Sequence, residues 1–203
     1  AAARERGALF VVDEAHALGT TGPGGRGGLA QAGVRCGPDV VVVGTLGKAL
    51  GSYGAFVACS RRMRDLLASR MRTAIYSTAL PPPVLAASLA AVRKLRREPG
   101  IVDRLHDNAR ALRSRLAEAG LRVPGEPWGP ILSVVVGSNS AALAAAAAIL
   151  ERGVLAPALR PPTVPEGMAR IRISVSAAHT PRDIDLIARA VSEAVEAAKG
   201  GRR

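Results

Sequence analysis

The side chains best suited to chemistry fall in two short segments, each just beyond an apolar run. Asp13 and His16 follow Leu9-Phe10-Val11-Val12, while Thr45, Gly47 and Lys48 follow Val40-Val41-Val42-Val43. A carboxylate, an imidazole, a hydroxyl and a primary amine suffice between them for proton transfer and for attack on a carbonyl carbon. Continuous runs of this kind fit strands buried on both faces, as in a parallel sheet covered by helices. Ligands of such sheets bind beyond the carboxyl ends of the strands, so Asp13 and Lys48 are expected to face one crevice. Plainer readings stand beside this one: Lys48 as a solvated loop residue, His16 as a surface or structural imidazole, Thr45 as a turn former.

The same residues raise a competing reading. Val12-Asp13-Glu14-Ala15-His16 spells the acidic signature of a nucleic-acid helicase. Such an ATPase needs a G-x-x-x-x-G-K-[ST] phosphate loop upstream of its acidic strand. Here Gly47-Lys48 lies downstream, Ala49 follows the lysine, and Val42 stands where the first glycine is required. The helicase reading fails on these counts.

The elements that must hold the two segments can be read along the chain. A third strand is expected at Ala55-Phe56-Val57-Ala58, with helices at about 61–72 and 84–97. Beyond Pro99, Val102, Leu105, Ala109, Leu112 and Leu116 recur at helical spacing, and Gly120 is placed to end that helix. A strand at Ile131 to Val136, an Ala-rich helix and a strand at Ile171 to Val175 follow. The last helix is signed by Thr180 as N-cap, Pro181 at the first position and Asp183 three residues after the cap. The change of pattern places a boundary near residue 97, dividing residues 1–97 from a small α+β unit at 98–203.

Composition narrows the partners. Hydrophobic residues make up 48% of the 203 and aromatic residues 2%, so the core is aliphatic and no stacking platform for bases can be built. A formal net charge of +12 would ordinarily point to nucleic acid or an anionic membrane. However, only Lys48, Lys94 and Lys199 of the 28 basic residues are lysines, and the arginines run through the whole chain, clustering only at Arg61 to Arg72 and Arg93 to Arg97. Neither nucleic acid nor membrane is expected as a partner; a phosphate-rich small molecule would suit the clusters equally. Cys36 and Cys59 have neither disulfide-framework nor metal-ligand spacing. No apolar run reaches the ~20 residues that span a bilayer. The chain opens Ala1-Ala2-Ala3-Arg4 and enters a strand almost at once, so a further N-terminal part is expected.

Three blocks resemble the α-oxoamine synthases, pyridoxal-phosphate enzymes of the aspartate aminotransferase fold type. They are Val12-Asp13-Glu14-Ala15-His16-Ala17-Leu18-Gly19 with Gly25-Arg26-Gly27, then Gly44-Thr45-Leu46-Gly47-Lys48-Ala49-Leu50-Gly51, and Arg160-Pro161-Pro162-Thr163-Val164-Pro165 leading to Arg170-Ile171-Arg172-Ile173-Ser174. The third block, with Tyr76-Ser77-Thr78-Ala79-Leu80-Pro81-Pro82 and Ser176-Ala177-Ala178-His179-Thr180, is most similar to the biotin-pathway branch. The resemblance implies an α/β fold: residues 1–97 as the C-terminal portion of a large mixed or parallel-sheet cofactor domain, and 98–203 as the small C-terminal α+β domain. It implies pyridoxal 5′-phosphate as cofactor, L-alanine and an acyl-CoA thioester as substrates, a homodimer with shared active sites, and a cytoplasmic enzyme.

Residue by residue, the resemblance makes Asp13 the partner of the cofactor's ring nitrogen and His16 a contact to its ring hydroxyl. Thr45 binds the phosphate, and Lys48 both carries the cofactor and moves the substrate proton. Ser77 and Thr78 match the segment that reaches the phosphate of the neighbouring subunit; without the resemblance they read as a helix cap. Arg172 matches the residue that grips the amino acid's carboxylate, and Thr163 the one that meets the acyl substrate. Arg170 and Arg172 share a strand face, which is equally the pattern of an exposed face. His106 and His179 read as structural or surface residues. Two departures are visible: Leu46 stands where biotin-pathway members often carry an aromatic, and the family's N-terminal half, with its cofactor-stacking ring, has no counterpart. The implied alternatives are a glycine-using relative and a non-catalytic truncated module.

Overall fold

The four valines at 40–43 have the β-branched composition of a buried strand, and they form the middle of the first sheet in the computed structural model, which describes residues 2–125 and 129–200. The chain divides into two units, Ala1–Val102 and Asp103–Arg203.

The first unit contains α1 (Ala2–Glu5), β1 (Phe10–Asp13), α2 (Gly28–Gln31), β2 (Val40–Thr45), β3 (Ala55–Ala58), α3 (Arg61–Arg70), α4 (Arg72–Ile75) and α5 (Pro82–Arg97). Its sheet has the order β1-β2-β3, with β1 parallel to β2 and β3 antiparallel to it. The reversal at β3 makes the sheet mixed, one of the two forms expected for this part of the chain. The connection at residues 46–54 is shorter than the dozen or more residues a parallel crossover needs, so only a hairpin can close it. Gly44 faces Phe56 across this hairpin, where a Cβ would collide with the ring.

Burial on both faces, expected for these strands, holds only for the start of β2, where Val40 and Val41 are buried. Phe10, Val11, Phe56 and Val57 are exposed because no helix of the described residues covers them. Ser60 caps α3 by accepting the Met63 N–H at 3.3 Å. The helix expected to reach 72 breaks at Met71, whose extended backbone separates α3 from α4. Helix α5 starts at Pro82, two residues before its expected start, because proline in a first turn forfeits no hydrogen bond.

The second unit holds most of α6 (Gly100–Glu118), then β4 (Ile131–Gly137), α7 (Asn139–Glu151), β5 (Ala158–Leu159), β6 (Ala169–Ser174) and α8 (Pro181–Gly200). Its sheet is antiparallel in the order β4-β6-β5. Strict alternation sends Leu132, Val134 and Val136 of β4, and Ala169, Ile171 and Ile173 of β6, into one core. Leu105, Ala109, Leu112 and Leu116 of α6 meet them there, with Ile149 of α7 and Ile184, Val191 and Val195 of α8. Gly120 takes a positive φ of 72° and ends α6, and Leu121 N–H returns to the Leu116 carbonyl at 3.0 Å.

At the start of α8, Asp183 accepts the Thr180 N–H at 2.8 Å while Thr180 Oγ1 accepts the Asp183 N–H at 3.3 Å, a reciprocal cap. The Thr180 N–H and the Thr180 hydroxyl, each donating to the Asp183 carboxyl at 2.8 Å, hold it below the ordinary carboxylate range. Cys36 and Cys59 are both free. Among the described residues no helix is long and apolar enough to cross a membrane, and no cluster of side chains could hold a metal ion.

Candidate active site

Parallel pairing of β1 with β2 sets Asp13 opposite Val43, so residues 13–16 and 45–48 leave the sheet at the same end. Asp13 is exposed and its Oδ1 accepts the Ala15 N–H at 2.8 Å, which bends the chain sharply. His16 is exposed, and its carbonyl accepts the Thr20 hydroxyl at 2.7 Å.

Beyond β2 the chain closes on itself. Leu46 N–H donates to Gly54 O at 2.8 Å, Ser52 N–H to Leu46 O at 2.9 Å, and Gly51 N–H to Lys48 O at 3.0 Å. Thr45 Oγ1 donates to Gly54 O at 3.2 Å and accepts the Gly47 N–H at 3.3 Å. Lys48 sits at the tip, exposed, and its amine has no hydrogen-bond or ion-pair partner among the described residues. The two segments touch: a Cβ at Gly19, whose φ is +81°, would lie 2.8 Å from the Cβ of Ala49, next to the lysine.

One participant was not singled out by sequence reasoning. Glu14 is buried, and its carboxylate accepts the N–H groups of Gly28 at 2.7 Å and Leu29 at 2.8 Å. A Cβ at Gly27 would approach that carboxylate to 2.8 Å, so glycine is needed there for the loop to close over Glu14. The carboxylate thus ties the turn after β1 to residues 27–29. Glycines fourteen residues downstream give no side-chain signal from which this could have been read.

Ser77 and Thr78 are exposed between α4 and α5. The Ser77 hydroxyl donates to the Thr73 carbonyl, and neither residue caps α5, because Pro81 occupies the cap. No hydrogen bond joins them to Asp13, Thr45 or Lys48 among the described residues.

In the second unit, Arg170 and Arg172 lie on the face of β6 opposite its buried residues. The Arg170 guanidinium donates to the Met168 carbonyl at 3.1 Å, whereas that of Arg172 has no partner among the described residues. Thr163 is exposed in the loop that follows the cis Pro161-Pro162 bond, and its N–H donates to Arg160 O at 3.0 Å. His179 is structural: its Nδ1 accepts the Ser176 N–H at 3.2 Å, and its carbonyl is held by Asn108 at 2.9 Å.

The sequence pattern of the family "Aminotransferase class I and II" matches residues 1–191. The chain belongs to this family. Within it, the chain is 46% identical over 193 residues to the 8-amino-7-oxononanoate synthase of Methylococcus capsulatus, a match covering 95% of this chain and 50% of that protein. A serine palmitoyltransferase with pyridoxal phosphate as an internal aldimine superimposes with a TM-score of 0.89 at 33% identity, over 97% of this chain and 49% of that one. The 8-amino-7-oxononanoate synthase of Francisella tularensis superimposes with a TM-score of 0.81 at 27% identity, over 92% and 55%. These bear out the resemblance to the α-oxoamine synthases and the aminotransferase-like fold. The chain spans about half the length of the curated relatives it matches.

Pyridoxal 5′-phosphate is the cofactor of this aminotransferase-like fold, as in the serine palmitoyltransferase structure. The donor set at the shared sheet end suits it: a carboxylate at Asp13, a hydroxyl at Thr45 and an unengaged amine at Lys48.

Proposed function

We propose that this chain is part of an enzyme that condenses L-alanine with a pimeloyl thioester, on coenzyme A or a carrier protein, giving 8-amino-7-oxononanoate, carbon dioxide and the free thiol in biotin biosynthesis. One observation carries this reading most directly: the uncommitted Lys48 amine at the same sheet end as the Asp13 carboxylate, in a chain about 45% identical to relatives named for that synthase.

When bound, the cofactor would supply an electron sink for a carbanion at the amino acid. The residues would serve it as follows. The Asp13 carboxylate favours a protonated ring nitrogen facing it. His16 contacts the ring hydroxyl, and the Thr45 hydroxyl binds phosphate oxygen. Lys48 holds the cofactor through its amine and then, once freed, takes the α-proton of alanine; Lys48 and His16 are the catalytic residues on this reading. Arg172 grips the substrate carboxylate, a task suited to a planar, unpaired guanidinium. Thr163 meets the acyl chain. Ser77 and Thr78, exposed on the first unit, serve the phosphate of a neighbouring subunit in a homodimer.

An amino-acid panel on the full-length protein tests the reading. Turnover of alanine with pimeloyl-CoA, and none of glycine with acetyl- or succinyl-CoA, is expected. The reverse result would move the protein to the glycine-using branch, and no turnover of either would favour a non-catalytic module.

A further inference from the structure

The loop at 46–54 is stiffened by its own backbone hydrogen bonds, but those bonds do not attach it to anything else. Its attachment runs through Ser52. The Ser52 hydroxyl donates to the Val84 carbonyl at 3.2 Å and accepts from the hydroxyl of Ser88 at 2.8 Å. Ser88 lies in the middle of α5, is 6% exposed, and sits 2.9 Å from the same Val84 carbonyl. Among the described residues these two are the side-chain hydrogen bonds that tie residues 46–53 to another element, both through the Ser52 hydroxyl.

A buried serine could satisfy itself on the carbonyl four residues back. Here it has a second partner, thirty-six residues away in sequence and four residues after Lys48. Neighbouring contacts fix the loop in other directions: Leu50 is buried, and Ala49 packs against Gly19. Neither of these apolar contacts prevents the loop from rocking about its two ends, because dispersion has no preferred direction. A paired hydroxyl does.

Resting on the reading of Lys48 as the cofactor lysine, we propose that Ser52 and Ser88 are positioning residues that clamp the Lys48 loop to α5 and so set the direction from which its amine meets a carbonyl carbon. An amine that must both hold a carbonyl group and later move a proton tolerates little angular error, since misplacement by about 1 Å costs on the order of a hundredfold in rate.

The experiment uses the full-length protein and the variants Ser52→Ala, Ser88→Ala, the double variant, and Ser88→Thr, which retains a hydroxyl. Amide hydrogen exchange is measured without cofactor, and the pH midpoint of the cofactor's visible absorbance is measured with it. In Ser88→Ala, exchange at Gly51 and Ser52 should accelerate about tenfold, the scale of one net hydrogen bond, with β1 and β2 unchanged. The absorbance midpoint should move in both single variants, no further in the double variant, and return in Ser88→Thr.

Unchanged exchange in the loop, uniform acceleration across the first unit, or an unmoved midpoint would overturn the clamp. Borohydride fixation of the cofactor on Lys94 or Lys199 of the unsubstituted protein would overturn the Lys48 reading, and the purpose of the clamp with it. The cofactor-free exchange data tell these two failures apart.

Discussion

At the scale of single residues, the proposed site contrasts groups already committed within the protein with groups that are not. Glu14 spends its carboxylate on backbone N–H groups, while the Lys48 amine and the Arg172 guanidinium have no partners among the described residues. Borohydride reduction of the full-length protein with cofactor is therefore expected to fix pyridoxal phosphate to Lys48, and peptide mass mapping to Lys94 or Lys199 would contradict this. Arg172→Ala should raise the KM for the amino acid about 10- to 100-fold, the scale of a lost hydrogen bond to a charged group, with the cofactor's absorbance retained. Loss of that absorbance would make Arg172 structural. The place of Asp13, His16, Thr45 and Lys48 at or beyond one end of the sheet was legible in the sequence because apolar runs and glycines mark the strand ends. Glu14 was not, since its partners are backbone N–H groups that no residue type advertises.

Among the elements, legibility followed the strength of local chemistry. Helix α8 was readable to its first residue because Thr180, Pro181 and Asp183 each have a distinct reason to stand there. Strand β5, two residues long, was missed because it carries no periodicity of its own and exists only by pairing with β6. The exposed faces of β1 and β3 were misjudged for a related reason: apolar composition says what a strand can bury, not what is present to cover it.

The second unit's core should behave as a continuous packed layer. Leu116→Ala, at a fully buried position on α6, is expected to cost about 2–5 kcal/mol in chemical denaturation. The cap of α8 gives a pH prediction. Because the folded Asp183 carboxyl lies below its ordinary value, its contribution is present above the unfolded carboxylate range and is lost as pH falls through the folded value. Amide exchange in the first turn of α8 should accelerate only in that acid window, and Asp183→Asn should abolish the dependence.

For the whole molecule, the two units differ in how completely they enclose themselves. The second buries an aliphatic core, whereas the first leaves Leu9, Phe10, Val11, Tyr53, Tyr76, Leu85 and Leu89 exposed. Apolar surface of this kind with an unpaired strand edge favours aggregation. The 203 residues expressed alone are therefore expected to retain cofactor poorly and to lack condensation activity, both recovering when the remaining half of a full-length relative is supplied in trans. Full activity from the chain alone would refute this.

The aliphatic core has a further consequence, which lies in the gene. Helices α7 and α8 lie against each other, and each buries alanines: Ala142, Ala145, Ala190 and Ala194 are almost wholly buried. Every alanine codon has cytosine in the middle, and deamination of that base yields a valine codon. In this core the change would force a branched side chain into filled space, at a cost of about 1–3 kcal/mol. A common spontaneous lesion of DNA thus falls where the fold has little room to absorb it.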